Sequence, residues 1–375
     1  MNKPHVFIIG GGLSGLISGI YLQRNGLRAT LMERKQYPFH RVCGEYISKE
    51  VLPFLNSLDI NPYSQSISEI ENLEVSSTKG RIFKQKLDLG GFGISRSLFD
   101  SILASHFQEM GGTLIQDEKI NSVKFQGAGF ELLDSMNRSY EADMVIGAYG
   151  KRSNLDPTLN RSFFHEKSPF IGVKYHIQFP IPRNLIQLHN FKNGYAGISA
   201  IEDNLVCLCY LSHRSNLKEA GTIPLMEKNI LQQNPFLQSI FNEAKFLWDK
   251  PLVINEISFS KKELVKDHIL FAGDSAGLIS PLCGNGMAMA IHSAKILGDH
   301  ILEFGKKPMN MKNREHLEKK YEWEWNKFFK KRLWVGRQIQ NLFGNDFLTD
   351  YALSFLNKSP KIAQLLIQST HGNPF

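Results

Sequence analysis

The pattern Gly10-x-Gly12-x-x-Gly15 constrains this chain more than any other feature. It sits between the β-branched run His5–Ile9 and a helical pattern over residues 13–25. In that setting Gly10 permits a tight turn, Gly12 lets the backbone approach a pyrophosphate, and Gly15 lets the helix lie close on the strand. The N–H groups of Leu13 and Ser14 then open a helix whose positive dipole end faces anions. A second strand pattern, Arg28–Glu33, closes on Glu33 about 20 residues after the glycines, where a carboxylate accepts ribose hydroxyls. The same carboxylate repels a 2′-phosphate. The cations Arg34 and Arg41 follow directly and are assigned to the same ligand. Strand, helix and strand form a βαβ unit for a dinucleotide, and the glycines alone do not separate FAD from NAD.

Two later segments make that separation. Phe271-Ala272-Gly273-Asp274 reads as a short buried strand that delivers a carboxylate at its C-terminal end. Ligands of open α/β sheets bind there, and Asp274 is placed for the hydroxyls of a ribityl chain, with Gly273 in the turn. Pro281-Leu282-Cys283-Gly284-Asn285-Gly286-Met287 opens a helix of small residues. N–H groups at Gly284, Gly286 and Met287 suit a flavin carbonyl and the anion that grows on reduction. The cofactor expected is FAD.

The texture of the chain changes twice. Strand-like runs with a hairpin character occupy 171–211, a polar helical stretch runs to 246, and a strand follows at 252–258. The short buried-strand texture returns at 269–272, and the remainder is helical. Residues 37–48 read as a loop entering a helix, 67–89 as two strands, 97–109 as a helix capped by Ser95 or Ser97, and 123–140 as a hairpin. The expected fold is α/β: a discontinuous Rossmann-like FAD-binding domain (1–66, 91–165 and 261–305), an inserted, mostly antiparallel substrate domain (67–90 and 166–260), and a helical C-terminal segment (306–375).

Composition excludes little. The chain has 375 residues, 42% of them hydrophobic and 21% charged, enough to bury a core without disulfides or metals. Its formal charge of +8 suits an anionic cofactor or membrane surface, while no arginine-rich tract or nucleic-acid motif points to DNA or RNA. Cys43, Cys207, Cys209 and Cys283 have no zinc or redox spacing, and Cys207 with Cys209 reads as packing on one strand face. The histidines His5, His40, His106, His176, His268 and His292 show no ligand spacing, so no metal is expected. No leader segment or membrane-spanning run is recognised, which implies a cytoplasmic location.

GGGLSG near the start, GISRSLFDSIL and DMVIGAYGKRS in mid-chain, and the late FAGDSAGLISPLCGNGM occur in the order seen in one flavoprotein superfamily. Over roughly residues 5–300 the chain resembles the para-hydroxybenzoate hydroxylase-like enzymes, which also include epoxidases, flavin halogenases and geranylgeranyl reductases. The resemblance implies that Arg96 contacts FAD, Asp274 the ribityl chain, and Gly284 to Met287 the ring edge. On its residues alone Arg96 reads as a surface salt bridge. The segment Arg41-Val42-Cys43-Gly44-Glu45 resembles the Cys-Gly-Asp/Glu loop of the geranylgeranyl reductase-like branch, which lies beside flavin and substrate. Cys43 is therefore the one catalytic candidate, as proton donor or pocket wall, against the plainer reading of a small buried residue. Tyr149 stands where hydroxylase members carry an Asp that helps hold FAD and the nicotinamide donor, and the Trp-x-Trp-x-Ile-Pro motif of halogenases is absent.

The resemblance implies an FAD-dependent oxidoreductase acting on an apolar, lipid-like or polyketide-like small molecule, with C=C reduction by flavin hydride. Oxygenation as a monooxygenase is the alternative, and electron transfer without a substrate the second. NADH or NADPH is the candidate electron donor. Residues 327–347 mix Phe328, Phe329, Leu333, Trp334, Ile339, Leu342 and Phe343 with Lys330, Lys331, Arg332 and Arg337. Such a basic amphipathic helix either packs on its own domain or touches an anionic membrane peripherally. Oligomeric state is not legible.

Overall fold

The computed structural model describes residues 3–166, 168–255, 257–308, 310–342 and 346–375, with the side chains of 341–348 outside the description. Phe343 and the side chain of Leu342 thus lie outside the described residues.

His5–Ile9 is buried on both faces, as befits the centre of a parallel sheet. It pairs in parallel with Arg28–Glu33 on one side and Met144–Gly147 on the other. Ile269–Phe271 continues the sheet in parallel beside Met144–Gly147, and Thr113–Gln116 extends it beyond Arg28–Glu33. Val265–Lys266 closes one edge, giving six strands. The helix Leu13–Arg24 packs on Arg96–Glu109 and on Gly286–Phe304. Small residues permit this. A Cβ on Gly298 would fall 2.4 Å from the ring of Tyr21. Ser95 caps Arg96–Glu109 by accepting from the Leu98 N–H, which settles the choice between Ser95 and Ser97.

The second sheet has nine strands and is mostly antiparallel. Its centre is Phe170–Gln178, Val206–His213, Gly194–Ala200 and Leu185–Phe191. Leu185–Phe191 then pairs in parallel with Ser68–Ser76, which pairs with Ile82–Gly93. Residues 37–48 depart from expectation here. They run into the strand Tyr46–Ser48, paired with Gly91–Gly93, before any helix begins. Gly91 has no side chain to displace the Tyr46 ring, so the short strand can dock. The large sheet thus draws on residues from both flanks of the 67–90 segment. Where a hairpin was expected over 123–140, three strands form: Ile120–Phe125, Phe130–Asp134 and Ser139–Ala142.

Among the described residues the C-terminal segment forms three helices: Met311–Leu342, Asp346–Lys358 and Pro360–Thr370. Tyr321, Trp325, Phe329 and Arg332 form a buried stripe at helical spacing, so the first of these packs its apolar face on the core. Trp323 and Trp334 remain exposed. No helix of the described residues is long and apolar enough to cross a membrane.

Candidate functional site

One cavity of about 760 Å³ runs between the six-stranded and nine-stranded sheets and under the C-terminal helices. Gly10, Gly12, Leu13 and Ser14 line its first end, with Glu33, Arg34, Arg41 and Arg96. Gly273 and Asp274 follow, then Gly284, Gly286 and Met287 opposite Cys43. Gly15 is not in the wall. A Cβ there would fall 2.0 Å from the Gly10 carbonyl oxygen, so its part is the close packing of turn and helix.

At the first end the backbone is open. Gly10 has φ 103°, and a Cβ on Gly12 would meet only the Arg96 guanidinium, at 3.6 Å. The Ser14 hydroxyl is buried without a protein partner. Both features fit an incoming phosphate group. The Glu33 carboxylate, besides lining the cavity, accepts from the Gly11 N–H at 2.9 Å and from Arg41 Nη2 at 2.9 Å. Arg41 Nε also donates to Asp100 at 3.1 Å, and Arg96 donates to Asp100 at 2.8 and 2.9 Å. Asp100 is fully buried and gathers both arginines on the cavity wall. Arg96 is therefore in an ion pair, but a half-buried one in the cavity wall, with its Asp100 partner fully buried. Sequence reasoning missed Asp100; its place four residues after Arg96 on a helix was the available signal.

Further along, Asp274 follows the end of the strand Ile269–Phe271. Its carboxylate has no hydrogen bond or ion pair among the described residues. Its main-chain oxygen accepts from Lys262 Nζ at 2.7 Å. Burial holds that ammonium down at about 8. Gly284, with φ 63°, reverses the chain so that the helix Gly286–Phe304 begins at the cavity. Asn285, at its start, makes no side-chain cap, so the first N–H groups of the helix stay free for a ligand.

The loop carrying Cys43 faces this turn, with Cys43 Sγ 3.3 Å from Met287 Sδ. A Cβ on Gly44 would meet nothing within 4 Å. Glu45 anchors the loop from beneath. It is fully buried, accepts from the Arg96 N–H at 2.7 Å and His176 Nε2 at 2.6 Å, and bonds Lys174 Nζ. Burial pushes its carboxyl up, but Lys174 and His176 outweigh that and hold it at about 2. Glu45, His176 and Cys207 offer donor atoms within 4.8 Å of one another, a cluster that the spacing of the histidines did not reveal. Lys174 already supplies positive charge there. Cys207 donates to the Cys43 carbonyl at 3.4 Å, while Cys209 and Cys283 join Cys43 in the wall. Burial pushes the Cys209 and Cys283 thiols up to about 12, so both are neutral.

Tyr149 donates to Asp156 at 2.9 Å and receives Arg161 Nη1 at 3.3 Å. Arg161 is wholly buried, lies 3.8 Å over the Phe271 ring and donates to the Ser275 carbonyl. The tyrosine is thereby tied to a rigid wall.

Beyond Cys43 the cavity becomes an apolar chamber. Leu73, Phe83, Leu87 and Leu188 of the large sheet form its floor, and Leu353, Leu356, Leu366 and Ile367 of the last two helices its roof. The roof was unforeseen, although Ala363, Leu366 and Ile367 have the spacing of one helix face.

Among characterised proteins, the chain is 25% identical over 360 residues to digeranylgeranylglycerophospholipid reductase of Thermoplasma volcanium, covering 90% of this chain and 88% of that protein. It is 22% identical over 321 residues to conditioned medium factor receptor 1 of Dictyostelium discoideum, covering 78% of this chain but spanning only 62% of that protein. Among solved structures, a triple mutant of the flavin-dependent brominase Bmp2 superposes with a TM-score of 0.79 at 16% identity, covering 99% of this chain and 96% of the other. The FAD binding domain family matches residues 3–307, and the chain belongs to it, as a para-hydroxybenzoate hydroxylase-like FAD-dependent oxidoreductase.

Proposed function

We propose that this enzyme reduces a carbon–carbon double bond in an apolar, lipid-like or polyketide-like substrate. One observation carries the reading: a single cavity joins the glycine turn to the apolar chamber, with the Cys43 loop between them. The likeness to a digeranylgeranylglycerophospholipid reductase supports it. FAD, when bound, supplies two-electron redox chemistry at its ring.

The chain's own residues do the rest. In this proposal the turn from Gly10 to Gly15 and the N–H groups of Leu13 and Ser14 bind the pyrophosphate. Glu33 holds the adenosine ribose, and Arg34, Arg41 and Arg96 balance charge. Gly273 and Asp274 hold the ribityl chain, and Gly284, Gly286 and Met287 meet the ring edge. Cys43 supplies a proton or a wall at the reacting carbons, while the roof excludes water. NADH or NADPH is the proposed donor. Residues 1–66, 91–165 and 261–305 form the cofactor part, with 67–90 and 166–260 the substrate part. Contact with an anionic membrane belongs to the same proposal: Trp323 and Trp334 are exposed on the helix that carries Lys327, Lys330 and Lys331.

The test is turnover without oxygen. The FAD-loaded protein is mixed anaerobically with NADPH or NADH and a prenyl lipid, and the product is weighed by mass spectrometry. A gain of two hydrogens per double bond is expected. A product formed only in air, carrying one atom from labelled O₂, would establish the monooxygenase instead. Reoxidation by partner proteins alone would make the chain an electron carrier.

A further inference from the structure

Tyr46 stands where the cofactor end of the cavity meets the chamber. Its ring is wedged between two glycines. A Cβ on Gly284 would fall 3.2 Å from its Cδ1, and one on Gly91 would fall 2.3 Å from its Cε2. Around it lie Ile70 and Leu87, with Leu73, Ile186 and Ile367 against them. The residue is 6% exposed, and it lines the cavity.

Its hydroxyl differs from those of other buried and half-buried tyrosines. Tyr37 bonds the Gly11 carbonyl, Tyr149 Asp156, Tyr175 and Tyr210 Glu227, and Tyr321 the Phe271 carbonyl, while Tyr195 also has a partner. Tyr46 has none among the described residues. Nor is its hydroxyl one of the sealed polar atoms left without a partner, so it keeps open surface. The cavity is the open space that the residue lines. An open hydroxyl can donate to whatever fills the cavity, and such a bond is worth about 0.5–1.5 kcal/mol. Burial, with Glu50 adding to it, holds the phenol well above its ordinary value, so it stays protonated and donates.

We propose that Tyr46 donates a hydrogen bond to the oxygen-bearing end of the substrate, placing that end at the Gly284 turn with the hydrocarbon tail in the chamber. The substrate class is then a long apolar chain ending in a carbonyl or similar acceptor. A double bond conjugated to that oxygen would lie at the turn and be polarised for reduction. This assignment rests on the proposed apolar-substrate reading.

The experiment measures binding, not turnover. The FAD-loaded protein is titrated with 2-hexadecanone and with hexadecane, in wild type and in Tyr46→Phe. The phenyl ring preserves the wedge, so FAD content and unfolding midpoint should match wild type. The ketone should bind the variant about ten-fold or more weakly, with hexadecane unchanged. Equal weakening of both probes, or an unchanged ketone, overturns the role of Tyr46 and leaves the apolar-substrate reading standing. Failure of both probes to bind wild type overturns that reading and this assignment with it.

Discussion

His176 Nε2 and a carboxylate oxygen of Glu45 meet at 2.6 Å beneath the Cys43 loop, where Glu45 is fully buried. Lys174, also fully buried, holds the other oxygen and the Arg41 carbonyl. These contacts fix both ends of the 41–45 loop against the large sheet.

The first prediction concerns acid. Burial raises the Glu45 carboxyl, Lys174 and His176 lower it further, and the result is about 2 against an ordinary 4.5. A carboxyl depressed on folding stabilises the fold above its unfolded value. That contribution is lost as pH falls from about 4.5 toward 2. Lys174→Met leaves the Glu45 charge short of its main partner and should cost about 3–5 kcal/mol at neutral pH. Urea unfolding at neutral pH checks this, and a loss below about 1 kcal/mol would mean the pair is not the anchor.

Asp274 should act on the ligand more than on the fold, because its carboxylate makes no hydrogen bond or ion pair among the described residues. Asp274→Ala is expected to weaken FAD binding by about 1.5–3 kcal/mol, the value of hydrogen bonds to a charged acceptor. The urea midpoint of the apoprotein should stay unchanged. Fluorescence titration with FAD is the measurement. Undiminished affinity would remove Asp274 from the cofactor site.

Two glycines three residues apart should fail differently. A Cβ on Gly15 falls 2.0 Å from a backbone oxygen that cannot yield, so Gly15→Ala should destabilise the apoprotein by about 1–3 kcal/mol or more. A Cβ on Gly12 has only Arg96 Nη2 nearby, at 3.6 Å. Gly12→Ala should therefore fold normally yet bind FAD poorly, since the added methyl occupies the approach to the backbone. Comparing apoprotein unfolding with FAD titration for each variant separates the two roles. Identical behaviour of the two would contradict the cradle.

Legibility in the sequence followed the range of the interactions. The turn from Gly10 to Gly15, Glu33 and Asp274 could be read because each lies at a strand end, where the chemistry is set by neighbours in sequence. Cys43 and Met287 could be singled out separately, but not their 3.3 Å contact. The Glu45–Lys174–His176 cluster joins a loop to a strand 129 to 131 residues away, and no local pattern records that pairing. The strand Tyr46–Ser48 owes its conformation to Gly91, far along the chain, so local propensity suggested a helix entry instead. The roof of the chamber was hidden for a similar reason: an amphipathic helix declares that it covers something, not what.

The last prediction separates chemistry from packing at Cys43. Its sulfur lies at the Met287 turn, in the same wall as Cys209 and Cys283. Burial keeps those two thiols neutral, with values up at about 12, so neither is a ready thiolate at neutral pH. Cys43→Ala should leave FAD affinity and the flavin spectrum near wild type, because the proposed cofactor contacts do not include its sulfur. If Cys43 delivers the proton, anaerobic product formation should fall by about 10²–10⁴-fold, the range of a positioned general acid. Cys209→Ser, a nearly isosteric change in the same wall, should lower it far less. Full activity in Cys43→Ala would return Cys43 to a packing role and leave the proton to come from another group in the cavity.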